Sequence, residues 1–139
     1  MLRDLKPGDP IPALVVDVDG PSMKVFSVLM RDPNPIHFDR DLVRSLGVGD
    51  APVNQGTLNM AYPINALLRL VASPTQLRSF RCRFTGSVYE GDVVTVGGEI
   101  TSVDGGTATV DVWLDRQDGS RVLSGSAVLA LEPQDSEII

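Results

Sequence analysis

The sequence predicts an α+β domain in which a curved antiparallel sheet wraps around one central helix. Two observations carry this. Residues Gln55 to Val71 include Leu58, Met60, Ala61, Ile64, Ala66, Leu67, Leu68 and Leu70, apolar around most of a helical circumference, which describes a helix buried on several sides. From Phe80 onward the chain turns to β-branched and alternating runs punctuated by Gly-Asp, Asp-Gly-Gly and Asp-Gly, the pattern of antiparallel strands joined by tight turns. With 139 residues, 42% hydrophobic and 22% charged, the chain is long enough to bury such a core as a single domain over residues 1–139.

The elements follow in order. The first dozen residues are rich in Pro and Gly and read as an irregular lead-in. Ala13 to Val18 is β-branched and reads as a strand, broken by Asp19-Gly20-Pro21. Pro21 and Ser22 suit a first helical turn, and Met23, Phe26, Leu29 and Met30 share a face, which predicts a short helix over 21–31. Pro33 stops it near Arg31 or Asp32, and Pro33 and Pro35 should hold the next residues extended. Asp39 caps a second short helix through Leu42, Val43 and Leu46, ended by Gly47. The long helix follows, with Pro63 as its awkward residue and Ser73-Pro74 as its end. Phe80, Cys82 and Phe84 alternate with Arg81 and Arg83, and Cys82 reads as a buried small hydrophobe. Strands around Val93–Val96, on both sides of Asp104-Gly105-Gly106, and over Arg121–Leu131 complete the sheet. A frayed tail is expected from about residue 133. This order of elements is that of the hot-dog fold. Its open sheet edge and helix flank predict a dimer.

Composition narrows the function. A net charge of −6 argues against nucleic acid as partner, because phosphate binding needs clustered base. One His and one Cys do not make a zinc site, so no metal is expected. Neither GxGxxG nor GxxxxGK[ST] occurs. No apolar run approaches the roughly eighteen residues of a membrane span, and the first residues do not open a signal peptide. Cys82 has no partner for an internal disulfide. These features predict a cytoplasmic protein without membrane contact, acting on small molecules or binding protein.

The densest stretch is RDPNPIHFDRD, residues 31–41, around the single histidine. A histidine exchanges protons near neutral pH, Asp32 is near enough in sequence to share its site, and two prolines between them stiffen the loop. The alternative is a Pro-rich turn in which Asp32 and Asp39 only cap helices. A second candidate is Val53-Asn54-Gln55-Gly56-Thr57, at the start of the long helix. There a free N–H at Gly56 could hold a carbonyl oxygen gaining negative charge, or Gly56 could serve close packing alone. Arg78, Arg81 and Arg83 form a basic group that could meet phosphates, or a solvated strand face. Trp113 and Tyr89 read as packing residues.

DPNPIHFDRDLVRSLG resembles the D-x-N-P-I-H-x-D-x-x-x-A-x-x-x-G signature of MaoC-like hydratases and dehydratases, through Asp32, Asn34, Pro35, Ile36, His37, Asp39 and Gly47. RFTGSVYEGDVVTVGGEI resembles the family's later segment through Arg83, Phe84, Val88, Gly91 and Asp92. The resemblance implies the hot-dog fold and reversible hydration of a trans-2-enoyl thioester to an (R)-3-hydroxyacyl thioester. It implies Asp32 and His37 as the catalytic pair activating water, a backbone N–H at Gly56 on the thioester carbonyl, and Asn34 and Pro35 as loop support. No cofactor is implied; coenzyme A or an acyl carrier protein enters as part of the substrate, with Arg78, Arg81 and Arg83 as candidates for coenzyme A phosphates.

Four departures stand out. Arg31 replaces the family's usual Gly before the first Asp, and Gln55 its usual His before Gly56. Val43 stands where Ala is common, and Ser87 where Pro is usual. Arg31, Asn54 and Gln55 become candidates for shaping the pocket. The Arg-Asp before the His, Asp-Arg-Asp after it and the Val-Asn pair also look like small hot-dog subunits of actinobacterial steroid side-chain hydratases, which work in heteromeric pairs. The expected unit is therefore a homodimer or a heteromer with another hot-dog chain. Two other readings are a hot-dog thioesterase, which would not need the Asp-x-Asn-Pro-Ile-His loop, and a non-catalytic partner subunit, which would not need Asp32 and His37.

Overall fold

The computed structural model describes residues 1–134. Strand β1 (Leu14–Asp17) leads into helix α1 (Gly20–Leu29), a 3-10 turn over Pro35–His37, helix α2 (Arg40–Ser45) and helix α3 (Gly56–Leu68). Strands β2 (Leu77–Phe84), β3 (Val93–Asp104), β4 (Thr107–Arg116) and β5 (Arg121–Ala130) follow. All pairings are antiparallel, in the order β1-β3-β4-β5-β2. The expected hot-dog arrangement is present, and β1 adds a fifth strand beside β3.

Alternation explains which side of the sheet is inside. On β3, Val94, Val96 and Ile100 are buried, and on β4 Ala108, Val110, Val112 and Leu114 are, while their neighbours stay at least partly accessible. That buried face receives Tyr62, Ala66 and Leu67 of α3 in one apolar cluster. The helix continues through Pro63, which has no N–H to offer the preceding turn. No helix of the described residues is long and apolar enough to cross a membrane.

The structure corrects three local expectations. Pro35 does not extend the chain: its fixed φ suits the first position of the 3-10 turn, and the Asn34 side chain caps that turn from Ile36 N–H at 3.2 Å. Helix α1 ends at Leu29 rather than Arg31, and of its predicted apolar face only Met23 is fully buried, whereas Leu29 and Met30 are 72% and 53% exposed. Strand β2 is a sheet edge, so Cys82 is only half-buried and Phe84 is exposed. Most of the tail expected to fray, residues 135–139, lies outside the described residues.

Candidate active site

The site is assembled by three short segments that sequence-local rules build and tertiary hydrogen bonds align. Asp19 caps α1 by accepting from Ser22 N–H at 2.6 Å. The other end of α1 closes with Arg31 N–H on the Val28 carbonyl at 3.2 Å and Asp32 N–H on the Ser27 carbonyl at 2.9 Å. This cap requires a left-handed residue between helix and loop, and Arg31 adopts φ 51°. The family's glycine preference at this position has its physical reason here.

Beyond the cap, Asp32 Oδ1 accepts from Asn34 N–H at 3.2 Å, and Asp39 N–H and Phe38 N–H both donate to the Pro35 carbonyl. Asn34 and Pro35 thus brace the loop. Asp39 caps α2 through Leu42 N–H at 3.0 Å. Asp32 caps no helix.

The loop delivers His37 to Asp32. Nε2 lies 3.1 Å from Asp32 Oδ2, and Nδ1 lies 2.7 Å from the Val53 carbonyl. A carbonyl only accepts, so Nδ1 carries a hydrogen and Nε2 is the nitrogen available for proton exchange. A bare lone pair facing a carboxylate oxygen would be repelled. At 3.1 Å Nε2 and Oδ2 are within hydrogen-bond reach, so a proton can pass between them. His37 is buried and Asp32 is partly open, so the carboxylate is the member facing incoming material.

That opening is a cavity of about 480 Å³ lined by Lys24, Ser27, Val28, Arg31, Asp32, Pro33 and Phe38. Its walls are largely apolar. Of the predicted residues, Asp32 and Arg31 line it. Asn54 and Gln55, expected to face a pocket, are 3% and 1% exposed and do not line it. Asn54 Nδ2 donates to Asn59 Oδ1 at 2.7 Å and Tyr62 Oη at 3.1 Å. Gln55 Nε2 donates to the Met23 carbonyl at 2.9 Å and Ser27 Oγ at 2.7 Å, clamping the start of α3 to α1. Its Oε1 and Asn54 Oδ1 are buried without a hydrogen-bond donor among the described residues.

Gly56 is exposed at the first turn of α3. A methyl group there would meet only the Phe84 ring, at 3.7 Å, so close packing does not require glycine. It does not line the cavity at Asp32; Gln55 and Ser27 connect the two places. Arg78, Arg81 and Arg83 are exposed on β2, away from that lining. Among the described residues, no three His, Cys, Asp or Glu side chains gather as a metal site requires.

The roles of three residues were not legible in the sequence, although Val53 and Asp92 lie in stretches it singled out. Val53 offers a backbone carbonyl to His37, and Ser27 holds Asp32 through its carbonyl and Gln55 through its hydroxyl; a carbonyl has no side-chain signature, and a lone serine in a helix is a weak one. The third is Asp92, buried with Arg116 Nε at 2.9 Å, Gln117 Nε2 at 2.8 Å and Tyr89 N–H at 2.8 Å. Burial alone would push its carboxyl up, but these hydrogen bonds together hold it below the usual range. This anchor fixes Tyr89, which bridges to Val53, whose carbonyl meets His37.

Comparison with known proteins agrees with this architecture. A solved (R)-hydratase from A. caviae involved in PHA biosynthesis superposes with a TM-score of 0.83 at 25% identity, covering 93% of this chain and 98% of that one. A chain of the ChsH1-ChsH2 complex from Mycobacterium tuberculosis shares the fold, with a TM-score of 0.78 at 23% identity over 88% and 95% of the two chains. A chain of the C-terminally truncated HadBC complex, a 3R-hydroxyacyl-ACP dehydratase from the same organism, gives 0.67 at 20% identity over 88% and 95%. No curated protein matches the sequence. The MaoC like domain family matches residues 7–117, and the chain belongs to this family of hydratases and dehydratases.

Proposed function

We propose that the protein catalyses reversible hydration of a trans-2-enoyl thioester to an (R)-3-hydroxyacyl thioester. The observation that carries the proposal is His37 Nε2 set 3.1 Å from Asp32 Oδ2, with its tautomer fixed by the Val53 carbonyl, beside an apolar cavity. A water held by the pair loses a proton to it as the water oxygen bonds to the β-carbon. The displaced electron pair moves through the α-carbon to the thioester oxygen. The pair then returns a proton to the α-carbon on the same face, so H and OH are added and the pair is restored. A backbone N–H at Gly56 stabilises the enolate-like oxygen. Coenzyme A or a carrier protein is the arm that carries the acyl group and stays attached throughout, and Arg78, Arg81 and Arg83 are the candidates for its phosphates.

The test follows loss of enoyl-thioester absorbance with the purified chain and with His37→Ala. The expected result is hydration by the wild type and loss of most of the rate in the variant. Thiol release without hydration would favour a thioesterase instead.

A second reading is favoured by a specific surface. Val25, Val28, Leu29 and Met30 leave α1 with an exposed apolar face, and fold relatives include the ChsH1-ChsH2 and HadBC complexes. In this reading the chain is one subunit of a hot-dog heteromer acting on a bulky enoyl thioester. Activity that appears only with a second hot-dog chain would establish it.

A further inference from the structure

Arg31 is the one non-glycine residue with positive φ among the described residues. A β-carbon in this conformation crowds its own backbone, and glycine would relieve that at no cost to the cap. Strain kept at such a position points to a use for the side chain. The Arg31 side chain makes no hydrogen bond or ion pair with the described residues, although the chain carries 18 acids against 12 bases. It lines the cavity beside Asp32, and so does Lys24 of α1, likewise without an acidic partner among the described residues. Between them the wall is apolar, formed by Val28, with Pro33 and Phe38 beyond. Both side chains are exposed, so two cations stand at the edge of an apolar wall where an anion could pair with them.

We propose that Arg31 and Lys24 form an anion subsite, and that the preferred substrate is an enoyl thioester whose acyl chain bears a carboxylate. The apolar wall suits the carbon chain, and a planar guanidinium suits bidentate pairing with a carboxylate. Carrier phosphates fit less well, because the whole pantetheine arm separates them from the thioester, whereas Arg31 adjoins Asp32. The inference rests on the hydratase reading and deepens it.

The experiment compares two enoyl-CoA substrates of equal chain length, one ending in a methyl group and one in a carboxylate. The wild type should favour the carboxylate substrate in kcat/KM. Arg31→Gly should lower that preference at least tenfold while raising Tm by a few degrees, so loss of folding cannot account for it. Lys24→Ala should lower the preference less, and Arg31→Lys should retain part of it. Turnover without a preference in the wild type, or an unchanged ratio in Arg31→Gly, overturns the proposal and leaves the hydratase reading standing. A loss in Arg31→Gly seen with the methyl-ended CoA thioester but not with its N-acetylcysteamine thioester also overturns it, assigning the cations to carrier phosphates. No hydration of either substrate by the wild type, alone or with a second hot-dog chain, overturns both.

Discussion

Replacing Gln55 with Leu tests whether the start of α3 and the end of α1 act as one unit. Gln55 is 1% exposed, and its Nε2 donates to the Met23 carbonyl and Ser27 Oγ at 2.9 and 2.7 Å. Leucine fills similar volume but leaves both acceptors without this donor, at about 1–3 kcal/mol for each buried group. Two features reduce the sum. Ser27 lines the cavity, so its hydroxyl has space to turn toward solvent. Gln55 Oε1 is itself buried without a donor, and removing it recovers a cost of the same order. The balance is a loss of about 1–3 kcal/mol. With an m value of ~2 kcal/mol/M, the urea midpoint should fall by roughly 0.5–1.5 M. Activity should fall too, because the Ser27 carbonyl holds Asp32 N–H at 2.9 Å. We expect kcat to drop about tenfold with a smaller change in KM, a loss of alignment rather than of binding. A wild-type midpoint with wild-type kcat refutes the clamp. A lowered midpoint with unchanged kcat refutes its coupling to Asp32.

Two further predictions concern the helix start and the buried carboxylate. Gly56→Ala should fold with stability within about 1 kcal/mol of wild type, since the added methyl meets only Phe84 in ordinary contact. Its kcat/KM should nevertheless fall at least tenfold, because the methyl blocks approach to the N–H; full activity would remove Gly56 from the reaction. Asp92 has a depressed carboxyl, so its stabilisation is fully present above its unfolded value of about 3.9 and is lost as pH falls through its folded value. Asp92→Asn should therefore be less stable at neutral pH and lose less stability on acidification below about pH 4, measured by urea unfolding across pH. Parallel pH profiles for the two proteins would contradict that assignment.

Much of the fold was legible because its signals are local. Asp39 caps α2, Gly47 follows it in the left-handed conformation, and Gly105 and Gly106 turn β3 into β4, each as composition predicts. The alternation that places Val94, Val96 and Val110 inside is equally local. What stayed hidden depends on distant partners. β1 belongs beside β3 only because Leu14 pairs with Val96, and no short-range pattern encodes that. Leu29 and Met30 look like core by periodicity, yet no element among the described residues covers them. The site divides the same way. Asp32 and His37 were visible as residue types on a stiff loop. The Val53 carbonyl that selects the histidine tautomer, and the turning of Gln55 away from the cavity toward α1, emerge only when three segments meet.

In the proposed reaction Asp32 and His37 act as one proton-handling unit. The most direct measurement is kcat/KM for enoyl-thioester hydration by Asp32→Asn, His37→Ala and the double variant, each checked for wild-type folding. A shared role predicts that each single change costs roughly 10²–10⁴-fold and that the double change costs little more than the worse single one. Losses that multiply, or a single variant keeping more than a tenth of the wild-type rate, would contradict it.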